Sequence, residues 1–341
     1  MLLQTIWFIL IFVLLGGYAI LDGFDFGVGI LHLLSRGENE RRISINSIAP
    51  VWDGNEVWLL TGGGALFAAF PPVYAAVFSG FYLALMLLLM ALIFRAVSME
   101  FRGKVDSPAW RSFWDIAFVV GSFLPPVLLG VALGNVVHGV PLNEKGDFTG
   151  TFLSLLNPYS VLIGVFTVLL FTLHGGIYLC NKTSGEYRRR IVRVVKRLWP
   201  AVLILPAVAG AATWYVAPER MSFVTERPAV FGMIALPLAA SLLAIGMILF
   251  SPVPSYRMAF CASSLAVGLL VAASAVTLFP ILLPAKPGAA NSLTIYNSSS
   301  SQLTLQTMFI IALVGMPLVI GYTAVIYRCF KGHVVLAEES Y

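Results

Sequence analysis

The chain has 341 residues, of which 59% are hydrophobic and 11% charged, with a net charge of +5 and a mean hydropathy of +0.90. Soluble domains average about 25% charged residues, so a soluble fold is excluded and a polytopic, all-α membrane protein is the class that fits. The positive balance suits basic loops on one membrane face better than nucleic acid, and three cysteines (Cys180, Cys261, Cys329) make no disulfide framework.

At about 20 apolar residues per span, nine transmembrane helices are predicted near 5–34, 47–70, 73–94, 114–137, 159–180, 200–217, 229–250, 259–282 and 308–327. The first twenty residues carry no Lys or Arg. They lack the basic start of a cleaved signal peptide and read as a retained helix. Loops one, three, five and seven, with the C-terminal segment, hold 17 of the 21 Lys and Arg. Basic loops stay cytoplasmic, so the N-terminus is expected outside and the C-terminus inside.

Loop five, "NKTSGEYRRRIVRVVKR", is the densest basic cluster. It reads as a topology determinant against anionic headgroups, with a partner-docking surface as the alternative. Loop eight, "AKPGAANSLTIYNSSSSQLTLQ", is either a flexible connector or a cap over the outer end. "GGYAI" followed by "GENERR" echoes "GGIYL" followed by "GEYRRR", although the register fails by eleven residues. A parallel duplication and chance similarity both remain open.

The chemistry gathers in the first two helices. "LDGFDFGVG" places Asp22 and Asp25 at i and i+3 inside the first apolar run, and "APVWDGNEVWLLTGGG" repeats that spacing with Asp53 and Glu56. Residues three apart share a helix face. Acids within a span are costly and usually mark an ion or proton route. Asp25 lies eleven residues before Arg36 and Asp53 eleven after Arg42, which puts both ~16 Å in from the loop charges. Asp25 and Asp53 are therefore expected to face one another, with Trp52 beside them and close helix approach at Gly23, Gly27, Gly29, Gly54 and Gly62–Gly64. Arg95, at the inner end of the third helix, is expected to reach Asp53 or Glu56, with Glu100 five residues on. The acids serve a proton or cation path, or act as packing and capping groups, or sit at a frayed end.

Four histidines (His32, His138, His174, His333) show no second ligand at helical spacing, and no CxxCH, HExxH, Walker or dinucleotide motif occurs. Any redox cofactor would be held by another polypeptide.

"DGFDFGVGIL", "RRISINSIAPVWDGNEVWLLTGGGALFAAFPPVYA", "FSGFY", "GSFLPPVLLGVALGNVVHGVP", "LLNPY" and "SSSQLTL" together resemble subunit II of the cytochrome bd-type quinol oxidases, over essentially the whole chain. The resemblance implies two four-helix bundles plus one peripheral helix: 1–137 with the acidic hairpin, an outward loop 138–158, 159–282, a second outward loop 283–307, and 308–341. It implies a multi-pass protein of a bacterial or archaeal plasma membrane, partnered by a subunit I that binds two hemes b, heme d and quinol, and reduces oxygen to water. This chain would ligate no heme. Its implied work is to support subunit I and conduct cytoplasmic protons through Asp25 and Asp53, with Arg95 and Glu100 at the channel mouth. Glu56 stands where some relatives carry an amide, and loop six is short. A structural quinone in this subunit and a small accessory subunit are left open. The alternative function is a proton- or cation-coupled secondary transporter, though such proteins usually carry inverted repeats and the echo here is parallel.

Overall fold

A computed structural model describes residues 1–336, with the backbone alone for 222–225. Twelve helices carry the chain: α1 (Leu2–Leu31), α2 (Gly37–Ile48), α3 (Trp52–Ala69), α4 (Pro71–Gly80), α5 (Tyr82–Phe101), α6 (Pro108–His138), α7 (Pro158–Lys182), α8 (Gly185–Val216), α9 (Pro218–Glu226), α10 (Pro228–Phe250), α11 (Tyr256–Leu278) and α12 (Gln302–Cys329). Among the described residues, seven stretches are long and apolar enough to cross a membrane, in α1, α5, α6, α7, α10, α11 and α12. The final residues of the tail, 337–341, lie outside the described part.

Two expected spans are interrupted. The second divides at 49–51 into α2 and α3, and the third divides at Phe81 into α4 and α5. The first break falls at Pro50, which has no N–H to continue the α2 ladder; Ala49 keeps helical angles (φ −46°, ψ −39°) and the chain departs from them at Val51 (φ −127°, ψ −25°). Loop one is not a loop but largely α2, and most of loop five is the first half of the continuous α8. That basic stretch turns Tyr187, Ile191 and Val195 inward, and Arg190 pairs with Glu40 of α2. α5 runs on to Phe101, so Arg95 is inside a helix rather than at its end.

The last expected helix boundary before loop eight also moves. α11 stops at Leu278, and the chain turns into a small antiparallel pair, β1 (Ile281–Leu283) and β2 (Leu293–Thr294). The fold is therefore mostly helical rather than all-α. Loop eight is a cap: Lys286 N donates to Val140 O at 2.9 Å, and Ser300 N to Ala69 O at 2.9 Å. Trp7 Nε1 closes the same end by donating to Leu305 O at 2.9 Å.

α1, α3, α5 and α6 pack as one set and α7, α8, α10 and α11 as another, joined through α1–α7 and α6–α7. The faint echo acquires a register here. Gly37 and Gly185, 148 residues apart, open α2 and α8, with φ of +72° and +62°. Pro108 and Tyr256, which open α6 and α11, are also 148 apart. The residues closing α3 and α8 share a backbone conformation: Phe70 has φ −135° and ψ 65°, Ala217 φ −143° and ψ 62°. With this spacing "GGIYL" matches "GVGIL", Gly27–Leu31, which removes the eleven-residue discrepancy.

The close approach is between α1 and α7, not between α1 and α3. A Cβ on Gly27 would lie 1.9 Å from the Phe171 carbonyl oxygen, and one on Gly175 would lie 2.5 Å from Phe24 O. Gly29 faces Ser122 of α6, and Gly62 alone of the α3 glycines meets α1; Gly54, Gly63 and Gly64 have open space. Small residues at helix crossings let backbones touch, and here they join the two sets.

At the basic end a charged cluster ties loops to helices. Asp115 of α6 accepts from His32 Nε2 at 2.9 Å, Arg102 Nε at 2.6 Å and Arg41, while Arg102 also grips Glu38 at 2.7 and 2.9 Å. The hydrogen bond from Arg102 holds the Glu38 carboxyl below its ordinary range. A carboxylate depressed on folding contributes above its unfolded value and loses that contribution as pH falls through the folded one. The α2 attachment should therefore survive to roughly pH 4 and loosen below it, read as hydrogen exchange of 36–48, with Glu38→Gln abolishing the acid step. Gly27→Ala should lower the thermal midpoint and yield of the membrane-extracted protein, since the added carbon meets backbone; an overpacked core typically costs about 1–3 kcal/mol.

Candidate functional site

Tyr18, Asp22 and Asp25 stand at i, i+4 and i+7 of α1, one stripe of the helix. Asp22 and Asp25 have no exposed surface. Arg95 of α5 is equally buried and sends Nη2 to Asp22 Oδ1 at 2.7 Å and to Glu56 Oε1 of α3 at 2.6 Å. Its guanidinium carbon lies 4.4 Å from the centre of the Phe26 ring, a cation–π contact. α5 can bring so large a charge inside because Gly121 of α6 packs on its backbone at Ala91 and Arg95.

Asp25 does not face Asp53. The side chain opposite it is Asn55, 1% exposed, whose Nδ2 donates to Asp25 Oδ2 at 2.7 Å and to Leu21 O at 3.3 Å. Asp53 is exposed on the outer side of α3. The physical reason is rotational: two residues turn a helix by about 200°, so turning Asn55 inward turns Asp53 outward, and the break at 49–51 sets that phase. Matched depth alone did not determine it. Glu56 occupies the intermediate direction, with 23% of its side chain exposed. Trp52 opens α3 and packs partly buried against the main core, and Glu100 is half-buried near the end of α5.

Several site members had carried no sequence signal. Tyr327 of α12 donates its hydroxyl to Asn55 Oδ1 at 3.1 Å. Asp115 could have been noticed as another acid beside an apolar run; nothing in the local spacing distinguished Asn55 or Tyr327.

The pocket thus contains three carboxyl groups and one guanidinium. Asp22 Oδ2, Asp25 Oδ1 and Arg95 Nε and Nη1 are buried without a hydrogen-bond partner in the protein. Buried polar atoms are as a rule satisfied by protein or ordered water, and this polar cluster has the partners a water needs. With a single fixed positive charge, the net charge of the site depends on how many protons its carboxyls hold.

His174, the histidine of the fifth apolar run, is not poised to ligate a heme iron. His174 is buried with Nδ1 at 2.7 Å from Ser263 Oγ and Nε2 at 3.0 Å from Ile20 O, so both ring nitrogens are engaged. Among the described residues, no group of three or more His, Cys, Asp and Glu is placed to hold a metal.

Removing one partner of a buried ion pair strands the other, typically at about 3–5 kcal/mol. Arg95→Leu is therefore expected to impair folding severely, whereas Arg95→Lys should retain a folded protein of lower thermal midpoint; scanning calorimetry or a thermal-shift assay in detergent distinguishes them.

Comparison with known proteins agrees with this architecture. Residues 3–330 match the family model described as cytochrome bd terminal oxidase subunit II. The chain is 39% identical to the cytochrome bd-I ubiquinol oxidase subunit 2 of Escherichia coli (strain K12), over 97% of this chain and 95% of that one. It is 36% identical to the cytochrome bd ubiquinol oxidase subunit 2 of Bacillus subtilis (strain 168), over 97% of each. A chain of the bd oxidase of Geobacillus thermodenitrificans shares the fold with a TM-score of 0.80 at 18% identity, covering 97% of this chain and 99% of that chain. A match running from the first turns of α1 to the end of α12 leaves one assignment: this chain belongs to the cytochrome bd terminal oxidase subunit II family.

Proposed function

We propose that this subunit supports a heme-bearing subunit I in a bacterial plasma membrane and delivers protons from the cytoplasm to its oxygen-reducing centre. The observation that carries the reading is the buried cluster of Asp22, Asp25, Glu56 and Arg95, three acids around one cation at zero or low exposure. A site whose charge follows its proton occupancy is suited to proton loading, and ionisable residues inside membranes are costly enough to mark such routes.

On this reading nine segments span the membrane, with α3 and α8 added to the seven apolar ones. They form two four-helix bundles, 1–137 and 159–282, and α12 is the ninth, peripheral helix. The basic end is cytoplasmic and the N-terminus outside, in keeping with the asymmetry of Lys and Arg. Protons enter past Glu100 and Trp52, occupy Asp25 and Asp22, and leave through the partly exposed Glu56 towards Asp53. An acid on the outer side of a membrane helix is costly against lipid, so the Asp53 side of α3 is the side that subunit I covers. Arg95 balances the charge of the loaded pocket.

Quinol and oxygen are the substrates of the complex. The hemes, two b and one d in the partner, supply electron transfer and oxygen chemistry when bound. Taking protons from the cytoplasm while quinol protons leave outside makes turnover electrogenic with no pump.

Asp25→Asn in the intact complex should keep the heme spectrum and lower quinol-driven oxygen consumption by about two orders of magnitude, the usual scale for a lost proton-transfer group. Asp53→Asn should behave alike, and wild-type turnover in either variant would remove that residue from the path.

A further inference from the structure

We propose that Tyr327 is a positioning residue for the Asp25 carboxyl, acting through Asn55. The proposal rests on the reading of Asp25 as a proton carrier. Three hydrogen bonds define it: Tyr327 Oη to Asn55 Oδ1 at 3.1 Å, Asn55 Nδ2 to Asp25 Oδ2 at 2.7 Å, and the same nitrogen to Leu21 O at 3.3 Å. Asn55 has one amide oxygen and two N–H donors. Both donors meet oxygen acceptors, so the remaining oxygen must accept, and the tyrosine hydroxyl is the group that donates to it. A flipped amide would set its oxygen against a carboxylate and a carbonyl.

The orientation matters because an amide donates but does not exchange protons with a carboxyl as a relay would. Asn55 occupies Asp25 Oδ2 and leaves Oδ1, buried and without a protein partner, as the oxygen free to take up a proton. Tyr327 comes from a helix that contributes little else to the interior. The most apolar stretch of α12 has no buried residues, and Leu305 at its far end is its one buried side chain. Near the basic end, however, Tyr327 packs against the main core with its ring edge-on to Phe24, 6.3 Å between centres and 87° between planes. Phe24 is the neighbour of Asp25 in the chain. The peripheral helix therefore reaches the proton pocket through a ring contact and one hydroxyl.

Tyr327→Phe removes the hydroxyl and keeps the ring. A typical net hydrogen bond corresponds to about threefold to tenfold in an equilibrium, and quinol-driven oxygen consumption of the purified complex should fall by that factor. Its dependence on pH should change shape, while heme content and spectrum match the wild type. Asn55→Ala should lower turnover at least as much, and adding Tyr327→Phe to it should cause no further loss, because the two act in series. Wild-type turnover and pH profile in Tyr327→Phe, or additive losses in the double variant, would overturn the proposal. An Asp25→Asn control separates the two levels. If that variant is inactive while Tyr327→Phe is normal, only the positioning role fails; if Asp25→Asn is fully active, the proton-carrier reading fails with it.

Discussion

The guanidinium of Arg95 is the constraint around which the first half of the molecule is arranged. A fully buried cation must be neutralised on the spot, and the attraction offsets desolvation only when the geometry is good and the remaining donors are satisfied. Asp22 from α1 and Glu56 from α3 meet the same nitrogen, and the Phe26 ring lies under the guanidinium carbon. Three helices are therefore held in mutual register by one side chain. Seven residues along, on the same side of α5, Arg102 does the equivalent at the basic end with Asp115 and Glu38. The two arginines form successive layers, one fully buried and one beside the exposed edge of Glu38, and between them α5 can neither slide nor rotate freely against α1 and α6.

Much of this was legible in the residues. Hydropathy located α1, α7, α10 and α11 to within a few residues, but it began α8 fifteen residues late and ran the second and third spans across helix breaks. The motifs "DGFDFGVGIL" and "NSIAPVWDGNEVWL" carried the family, and acids inside apolar runs pointed to the buried cluster of Asp22, Asp25 and Glu56. What escaped was rotational and long-range. Whether Asp53 or Asn55 faces inward depends on a helix break three residues long, and hydropathy windows average over such breaks. The Asn55–Tyr327 bond joins residues 272 apart, and an asparagine and a tyrosine in apolar helices have no spacing that announces a partnership. Gly23, Gly27 and Gly29 do meet neighbours closely, but in α7 and α6 rather than α3, and of the α3 glycines only Gly62 meets α1, because a small residue permits contact without naming what it touches.

The capped end and the pocket are mechanically related. The β1–β2 turn, Trp7 and Ser300 fasten the far ends of α1, α3 and α12 to one another. Tyr327 fastens the near end of α12 to α3. Between these two attachments α12 presents mostly apolar surface outward, so its stability comes from its ends and from the surrounding bilayer more than from packing.

The 148-residue spacing has a consequence for what the acids are for. In that register the counterparts of Asp22, Asp25, Asn55, Glu56 and Arg95 are Leu170, Leu173, Leu203, Ile204 and Leu243. Of these, Leu170 and Leu173 are buried, Leu203 is partly buried, and Ile204 and Leu243 are exposed, so the C-terminal half carries no charge at these positions. The two halves thus repeat a spacing of helix starts while differing in the residues they place at these positions. That spacing of helices occurs in the C-terminal half without acids at these positions, so the spacing alone does not call for the carboxylates.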